Sequence, residues 1–484
     1  PIRIERDGAG RIAREQLSPH LSRQFGYCPD GYLTEQAVST NGSPLFATRF
    51  EYDPAGNLTQ RSDSQDGVDV YRYDPLGRIT EHLDPQRRIS RYLNDPAGDR
   101  LRTRIVEGGR RRVAGGGVVE GEWSREGEYE GTYYRFDRAG NLVERRDGER
   151  SLHLVWDANQ RLVESYANGT VTRYGYDPLG RRLFKEIGEK RTLFYWDVDA
   201  LVGESVVVLN QTKESARAIE ANVFAIAERR EKAQAAIPQK VREYVYYPET
   251  FEPLTLIEGA GTARHVYHYH NDPNGCPTRL IDAGGEVRWG ASYTAWGAIA
   301  TLHVNEVESP IRLQGQYEDR ETGFHYNRYR YYLSAIGQYV SPDPIGLAGG
   351  SNPFTYGHNP VGWIDPLGLA DLPVSANTAL PDVLTRGVHV NVHDVPGHGS
   401  VHVGVRPDHL GGIKLVPADP ATKRILSTDP SLWKKISGSV ERWLGVAAHR
   451  AKLAAVADAA KKAFAQRGAE FAHLARNLKK GCGG

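Results

Sequence analysis

The strongest constraint on this chain is a unit that returns about every twenty-one residues, reading aromatic-x-aromatic-Asp-Pro-x-Gly-x-Leu. It occurs as Phe50-Glu51-Tyr52-Asp53-Pro54-Ala55-Gly56-Asn57-Leu58. It returns as Tyr71-Arg72-Tyr73-Asp74-Pro75-Leu76-Gly77-Arg78-Ile79 and as Tyr174-Gly175-Tyr176-Asp177-Pro178-Leu179-Gly180-Arg181. Weaker copies centre on Asp7, Asp95, Asp137, Asp157 and Asp197, and Tyr27-Cys28-Pro29-Asp30-Gly31 puts cysteine in the aspartate slot. Alternating aromatic and polar residues make a half-buried strand. Asp-Pro-x-Gly is turn chemistry: Asp caps, Pro fixes φ, and Gly takes the positive-φ position. Each unit is a hairpin that cannot bury its apolar face alone, so stacked units must build a long sheet. Such a sheet twists and can coil. A mean hydropathy of −0.53 suits a sheet wetted on one or both faces.

One segment leaves the pattern. Lys213 to Lys240 is rich in Ala, Glu and Lys and lacks turn signals. It predicts a helical insertion between strands, structural rather than active. The repeat resumes at Tyr244-Val245-Tyr246-Tyr247-Pro248.

From Arg312 the sequence becomes more specific. It runs Leu313-Gln314-Gly315-Gln316-Tyr317, then Glu321-Thr322-Gly323-Phe324-His325-Tyr326-Asn327-Arg328-Tyr329-Arg330-Tyr331-Tyr332. Ser341-Pro342-Asp343-Pro344-Ile345-Gly346-Leu347 follows, then Asn359-Pro360 and Ile364-Asp365-Pro366-Leu367-Gly368-Leu369. Two Asp-Pro-x-Gly-Leu elements thus stand 22 residues apart. Stacked hairpins could bring their carboxylates together, where two close acids share a proton and can do acid–base work. Spacing alone equally allows both aspartates to be plain turn caps, like Asp53 and Asp74.

The repeats and this run resemble the YD repeats and core of the Rhs family, over about residues 1 to 369. Leu333-Ser334 stand where the family often has Asp-Pro. The resemblance implies a mainly β protein: a coiled sheet closing into a hollow cocoon around its own toxin cargo. It divides the chain into a YD-repeat shell over 1–311, an Rhs core over 312–369, and a variable, small α+β toxin domain over 370–484. It implies an aspartyl autoprotease that uses Asp343 and Asp365, supported by Arg328 or Arg330, and cuts between Leu369 and Ala370. Acid and base roles stay open, since a dyad titrates as a pair. The resemblance further implies an interbacterial effector held in the bacterial cytoplasm and then delivered into a target cell. Its partners would be a type VI secretion spike or adaptor/chaperone and a cognate immunity protein. A cell-surface or wall-associated YD protein without a toxin is the alternative of another class.

After Leu369 the repeat stops. Val388 to His393 and Ser400 to Val405 predict two strands, and Pro430 to Leu478 predicts helix, with Ala451 to Ala475 alanine-rich and amphipathic. Gly397-His398-Gly399-Ser400-Val401-His402-Val403-Gly404-Val405 faintly resembles the histidine strand of permuted papain-like (NlpC/P60-type) domains. That implies a thiol hydrolase in which His402 deprotonates Cys482. A nuclease or nucleotide-modifying enzyme using His389, His393, His398, His402 and His409 is the second reading, and a membrane-active helical toxin the third. From Ala370 onward there are 16 Lys+Arg against 9 Asp+Glu, while the whole chain has 61 against 60. The tail is therefore basic and the body acidic, which suits an anionic partner for the tail.

Cys28, Cys276 and Cys482 are too scattered for a disulfide framework or zinc spacing, so no metal or cofactor is expected. No apolar run reaches the roughly 18 residues of a membrane helix. Pro1-Ile2-Arg3-Ile4-Glu5 opens no signal segment and predicts no general secretory route. The chain carries no methionine, against on the order of ten at ordinary usage. This predicts an upstream portion, and spacings that are short wherever a methionine is omitted.

Overall fold

The computed structural model describes residues 2–112, 118–209, 240–248, 250–260, 263–357, 359–369, 372–373, 389–394, 401–406, 413–418 and 424–427. The helical insertion expected at 213–240 lies outside these except for Lys240, which opens a strand. The expected tail helix also lies outside them. Residues 1–377 form one compact unit and 378–484 a second.

The first unit is built from hairpins, as the repeat demands. Nine strands from Arg3–Arg6 to Ile89–Arg91 make one sheet in strict chain order. Sixteen more, from Thr103–Arg112 to Ile299–Asn305, make a second, again in chain order. The expectation of a single coiling sheet is thus corrected to two. The break falls at the Asp95 copy. Its turn closes normally, with Asp95 N–H donating to the Asp99 carbonyl at 2.8 Å. Its flanks do not ladder, because other groups take the chain beyond the turn: Asn352 Nδ2 donates to Asp99 Oδ1 at 2.6 Å and Arg100 Nε to the Ile336 carbonyl at 3.1 Å.

Each aspartate of the unit does what its spacing predicts. Asp53 Oδ1 accepts the N–H groups of Ala55 and Asn57 at 2.9 Å, and Gly56 takes φ 84°. Asp74 and Asp177 repeat this, and in both the arginine four residues on adds its Nε to the carboxylate. Cys28 keeps the backbone turn without the side-chain cap, Gly31 N–H donating to its carbonyl at 2.9 Å. The two aromatics divide their labour. The first is buried, as are Phe50, Tyr71, Tyr134 and Tyr174. The second reaches back one unit: Tyr73 Oη donates to the Leu58 carbonyl at 2.6 Å and Tyr176 Oη to that of Leu162 at 2.8 Å. Trp156 and Trp196 do the same with Nε1, to Leu142 and Arg182. The ladder slips by a residue at this aromatic in unit after unit, as between Arg72 and Tyr73 and between Gly175 and Tyr176.

The two sheets meet through apolar packing, as of Leu21, Val38 and Phe46 with Leu254 and Ile281, and through charge. Arg279 grips both oxygens of Asp63 at 2.8 and 2.9 Å, and Arg61 Nε reaches Asp272 at 2.7 Å. Arg23 and Gln36 donate to the carbonyls of Tyr269 and Asn271. A four-stranded sheet, Tyr317–Asp319, Phe324–Asn327, Arg330–Leu333 and Gln338–Tyr339, then packs on the larger sheet. Phe324, Tyr326, Tyr331 and Leu333 join Tyr134, Phe136, Leu142, Leu154, Leu162 and Tyr174 in one apolar cluster. At the docking point the repeat departs from its own rule. Arg182 occupies the slot of Leu58 and, fully buried, pairs with Asp319 at 2.5 Å.

In the second unit, strands His389–Asp394, Val401–Arg406, Ile413–Ala418 and Arg424–Ser427 form an antiparallel sheet in chain order. The first two were expected; the other two carry no clear alternation in sequence.

Candidate functional site: a buried aspartate pair

Three strands and two turns converge on Arg330. Strand Arg330–Leu333 begins after a tight turn in which Arg328 takes φ 52°. Arg330 Nη2 lies 3.1 Å from Asp343 Oδ2 and 3.3 Å from Asp365 Oδ2, so one nitrogen serves both carboxylates. All three side chains are 2–3% exposed. The rest of the guanidinium is spent on backbone: Nε donates to the Gly368 carbonyl at 2.5 Å and Nη1 to that of Pro353 at 3.1 Å. Its plane lies against Tyr339, 3.7 Å from the ring centroid.

Each aspartate also caps its own turn. Asp343 Oδ1 accepts the Ile345 N–H, and Asp365 Oδ1 accepts the Leu369 N–H, both at 2.9 Å. Tyr339 Oη donates to Asp365 Oδ2 at 2.9 Å. Asn327 Nδ2 donates to both the Asp365 carbonyl, at 2.8 Å, and Tyr339 Oη, at 2.7 Å. Asp365 is thus held by donors on both oxygens. Burial raises the Asp343 carboxyl above its usual range, and the Arg330 charge only partly offsets this.

The Leu369 backbone enters this cluster. A side-chain carbon built on Gly349 would stand 2.2 Å from Asp343 Oδ2 and 2.5 Å from the Leu369 carbonyl oxygen. The carboxyl and the carbonyl therefore border the same gap. Leu372–Pro373 pairs antiparallel with Trp363–Ile364. Two acids with one cation beside a backbone carbonyl have the parts for general acid–base attack on that amide.

Of the two arginines singled out in the sequence, only Arg330 reaches the pair. Arg328, also buried, turns away from the pair to Asp199 at 2.7 Å and to the Leu179 carbonyl at 3.0 Å, tying the core to two repeat turns. Ala370, His398 and Cys482 lie outside the described residues. His402 falls on strand Val401–Arg406, directly opposite His393 on the neighbouring strand. Tyr339, Asn327 and Gly349 were not anticipated. Tyr339 sits in an aromatic strand where nothing marks it, and Gly349-Gly350 reads as an ordinary loop.

The family model described as RHS protein matches residues 266–303, and that described as RHS Repeat matches 52–89 and 156–184. Toxin protein Tse5 of Pseudomonas aeruginosa is 38% identical over 271 residues, 53% of this chain and 20% of its own. Double-stranded DNA deaminase toxin A of Burkholderia cenocepacia is 33% identical over 277 residues, 52% of this chain and 18% of its own. This chain thus spans about a fifth of the length of these relatives. The crystal structure of TcdB2-TccC3-TEV shares the fold over 76% of this chain and 19% of its own, at TM-score 0.50 and 16% identity. The hairpin repeat and these matches agree: the chain carries RHS repeats and is similar to Rhs-type toxins over about half its length.

Proposed function

We propose that this chain is the C-terminal part of a toxin effector whose core cuts its own backbone after Leu369 and frees residues 370–484 as the toxin. The observation that carries the proposal is the sharing of Arg330 Nη2 by two buried carboxylates beside the Leu369 carbonyl. Turn capping alone explains neither the burial nor the shared cation, since Asp53 caps its turn while only half-buried and without an arginine between two acids. The toxin names of the relatives support the effector role. In this reading the repeat hairpins form a shell that carries the tail as cargo. Export runs through a contact-dependent machine such as type VI secretion, and an immunity protein guards the producer. The test is direct. Wild type releases a fragment whose first residue is Ala370; Asp343→Asn and Asp365→Asn each leave one full-length band on a denaturing gel. Cutting at that bond in both variants overturns the proposal.

For the tail, the opposed register of His393 and His402 favours histidine chemistry on a basic domain, that of a nuclease or nucleotide-modifying enzyme. Thiol hydrolysis by Cys482 with His402 is the competing reading. Toxicity of residues 370–484 expressed in bacteria separates them. His402→Ala abolishes killing under either reading, whereas Cys482→Ala abolishes it only under the second.

A further inference from the structure

Gly349 is a glycine without a backbone reason. Its φ of −84° and ψ of −8° are ordinary right-handed values, open to any residue. Its neighbour Gly350 is the opposite case, with φ 139° and nothing within 4 Å of where a Cβ would stand. What excludes a side chain at 349 is the pair of oxygens in front of it, Asp343 Oδ2 at 2.2 Å and the Leu369 carbonyl oxygen at 2.5 Å. Real Cβ atoms do not approach so closely, and neither neighbour is a flexible side-chain end free to leave. The Leu369 oxygen is backbone, and Asp343 is held by Arg330 and by the Ile345 N–H.

We propose that Gly349 is a positioning residue that keeps open the contact through which Asp343, as the acid, protonates the Leu369 carbonyl oxygen, leaving Asp365 as the base. This rests on the self-cleavage reading and deepens it by dividing the roles. The environments differ in the sense the roles require. Asp365 receives the Tyr339 hydroxyl, the Leu369 N–H and Arg330, a donor set suited to a proton acceptor. Asp343 shares the cation and one N–H in a desolvated site that favours its neutral form.

The step balances with one water. The water oxygen bonds to the Leu369 carbonyl carbon while its proton passes to Asp365 and the Asp343 proton passes to the carbonyl oxygen. The carbon–nitrogen bond then breaks. The proton on Asp365 goes to the departing Ala370 nitrogen, and a hydroxyl of the tetrahedral centre returns a proton to Asp343. Leu369 ends as a carboxyl terminus and Ala370 as an amine.

The test follows cleavage of the full chain during cell-free synthesis, over a pH series, on denaturing gels. Gly349→Ala is expected to slow cleavage by about 100-fold or more, the usual worth of a positioned acid, while still melting in one cooperative transition. Gly350→Ala is expected to lower the melting temperature while still cutting. In wild type, the rate is expected to fall as rising pH takes the proton from Asp343. Wild-type cutting by Gly349→Ala, or a wild-type rate that stays flat from pH 5 to about pH 9, where a raised carboxyl would be ionised, overturns the assignment. These outcomes are distinct from failure of self-cleavage itself, which appears as Asp343→Asn and Asp365→Asn cutting normally.

Discussion

The same turn, Asp-Pro-x-Gly, occurs in the repeat hairpins and in the core, and its two settings differ in what surrounds the carboxylate. At Asp74 the acid is partly exposed, caps two N–H groups, and has its own arginine four residues on. At Asp343 and Asp365 the acids keep the cap but lie buried, with one distant arginine between them. The lesson is that packing can strip the same turn motif of its water and of its private counter-ion. Local sequence builds the turn in both places; only tertiary structure sets its chemistry.

Deleting the shared cation should give the largest effect. Arg330→Met leaves two buried acids without a cation and is expected to destabilise the core by about 3–5 kcal/mol at neutral pH. Lowering the pH should recover part of this, as the stranded carboxyls protonate. A melting series from pH 7 to pH 4 reads both, and a variant as stable as wild type at pH 7 would break the contrast with the repeat turns.

The next effect belongs to buried histidines in the two regions. Burial depresses His325, in the core sheet, to about 3 and His268, in the large repeat sheet, to about 4. Their folded-state pKa values lie below the unfolded value near 6.5. Each therefore contributes stability that is full above about pH 6.5 and is lost as pH falls toward the folded value. The loss is on the order of a few kcal/mol per site. Melting temperatures of wild type and of His325→Gln across pH 7 to pH 4 check it: the variant should lose less on acidification.

Smaller still is the tie between units. Tyr73→Phe removes the hydrogen bond to the Leu58 carbonyl and should cost about 1 kcal/mol. Smallest is Asp53→Asn, expected within about 0.5 kcal/mol because asparagine caps almost as well. Equal losses in Asp53→Asn and Asp365→Asn would erase the distinction between the two settings.

Much of this was legible. Alternation and turn chemistry gave the hairpins, and the motif spacing singled out Asp343 and Asp365. The choice between Arg328 and Arg330 was not legible, because alternation puts residues two apart on the same face. The turn between strands Phe324–Asn327 and Arg330–Leu333 breaks that parity, and Arg328 leaves the sheet. The sheet break at the Asp95 copy was hidden because its partners, Asn352 and Ile336, lie some 250 residues away in sequence. Gly349 was hidden because a glycine excluded by neighbouring oxygens looks, in sequence, like one required by its backbone.

The backward-reaching aromatic has a consequence for how the molecule is made. Tyr73 needs the Leu58 carbonyl and Tyr176 that of Leu162, so the acceptor always lies upstream of the donor. A unit leaving the ribosome finds its docking group already formed on the preceding hairpin, and presents a new one to the next. Growth in strict chain order keeps each closing loop short, which keeps its entropic cost low. The chain can therefore assemble as a vectorial polymer of hairpins, each templated by its predecessor. The core run comes last, carrying the buried aspartate pair, so the pair is assembled only once the sheets it docks on are complete.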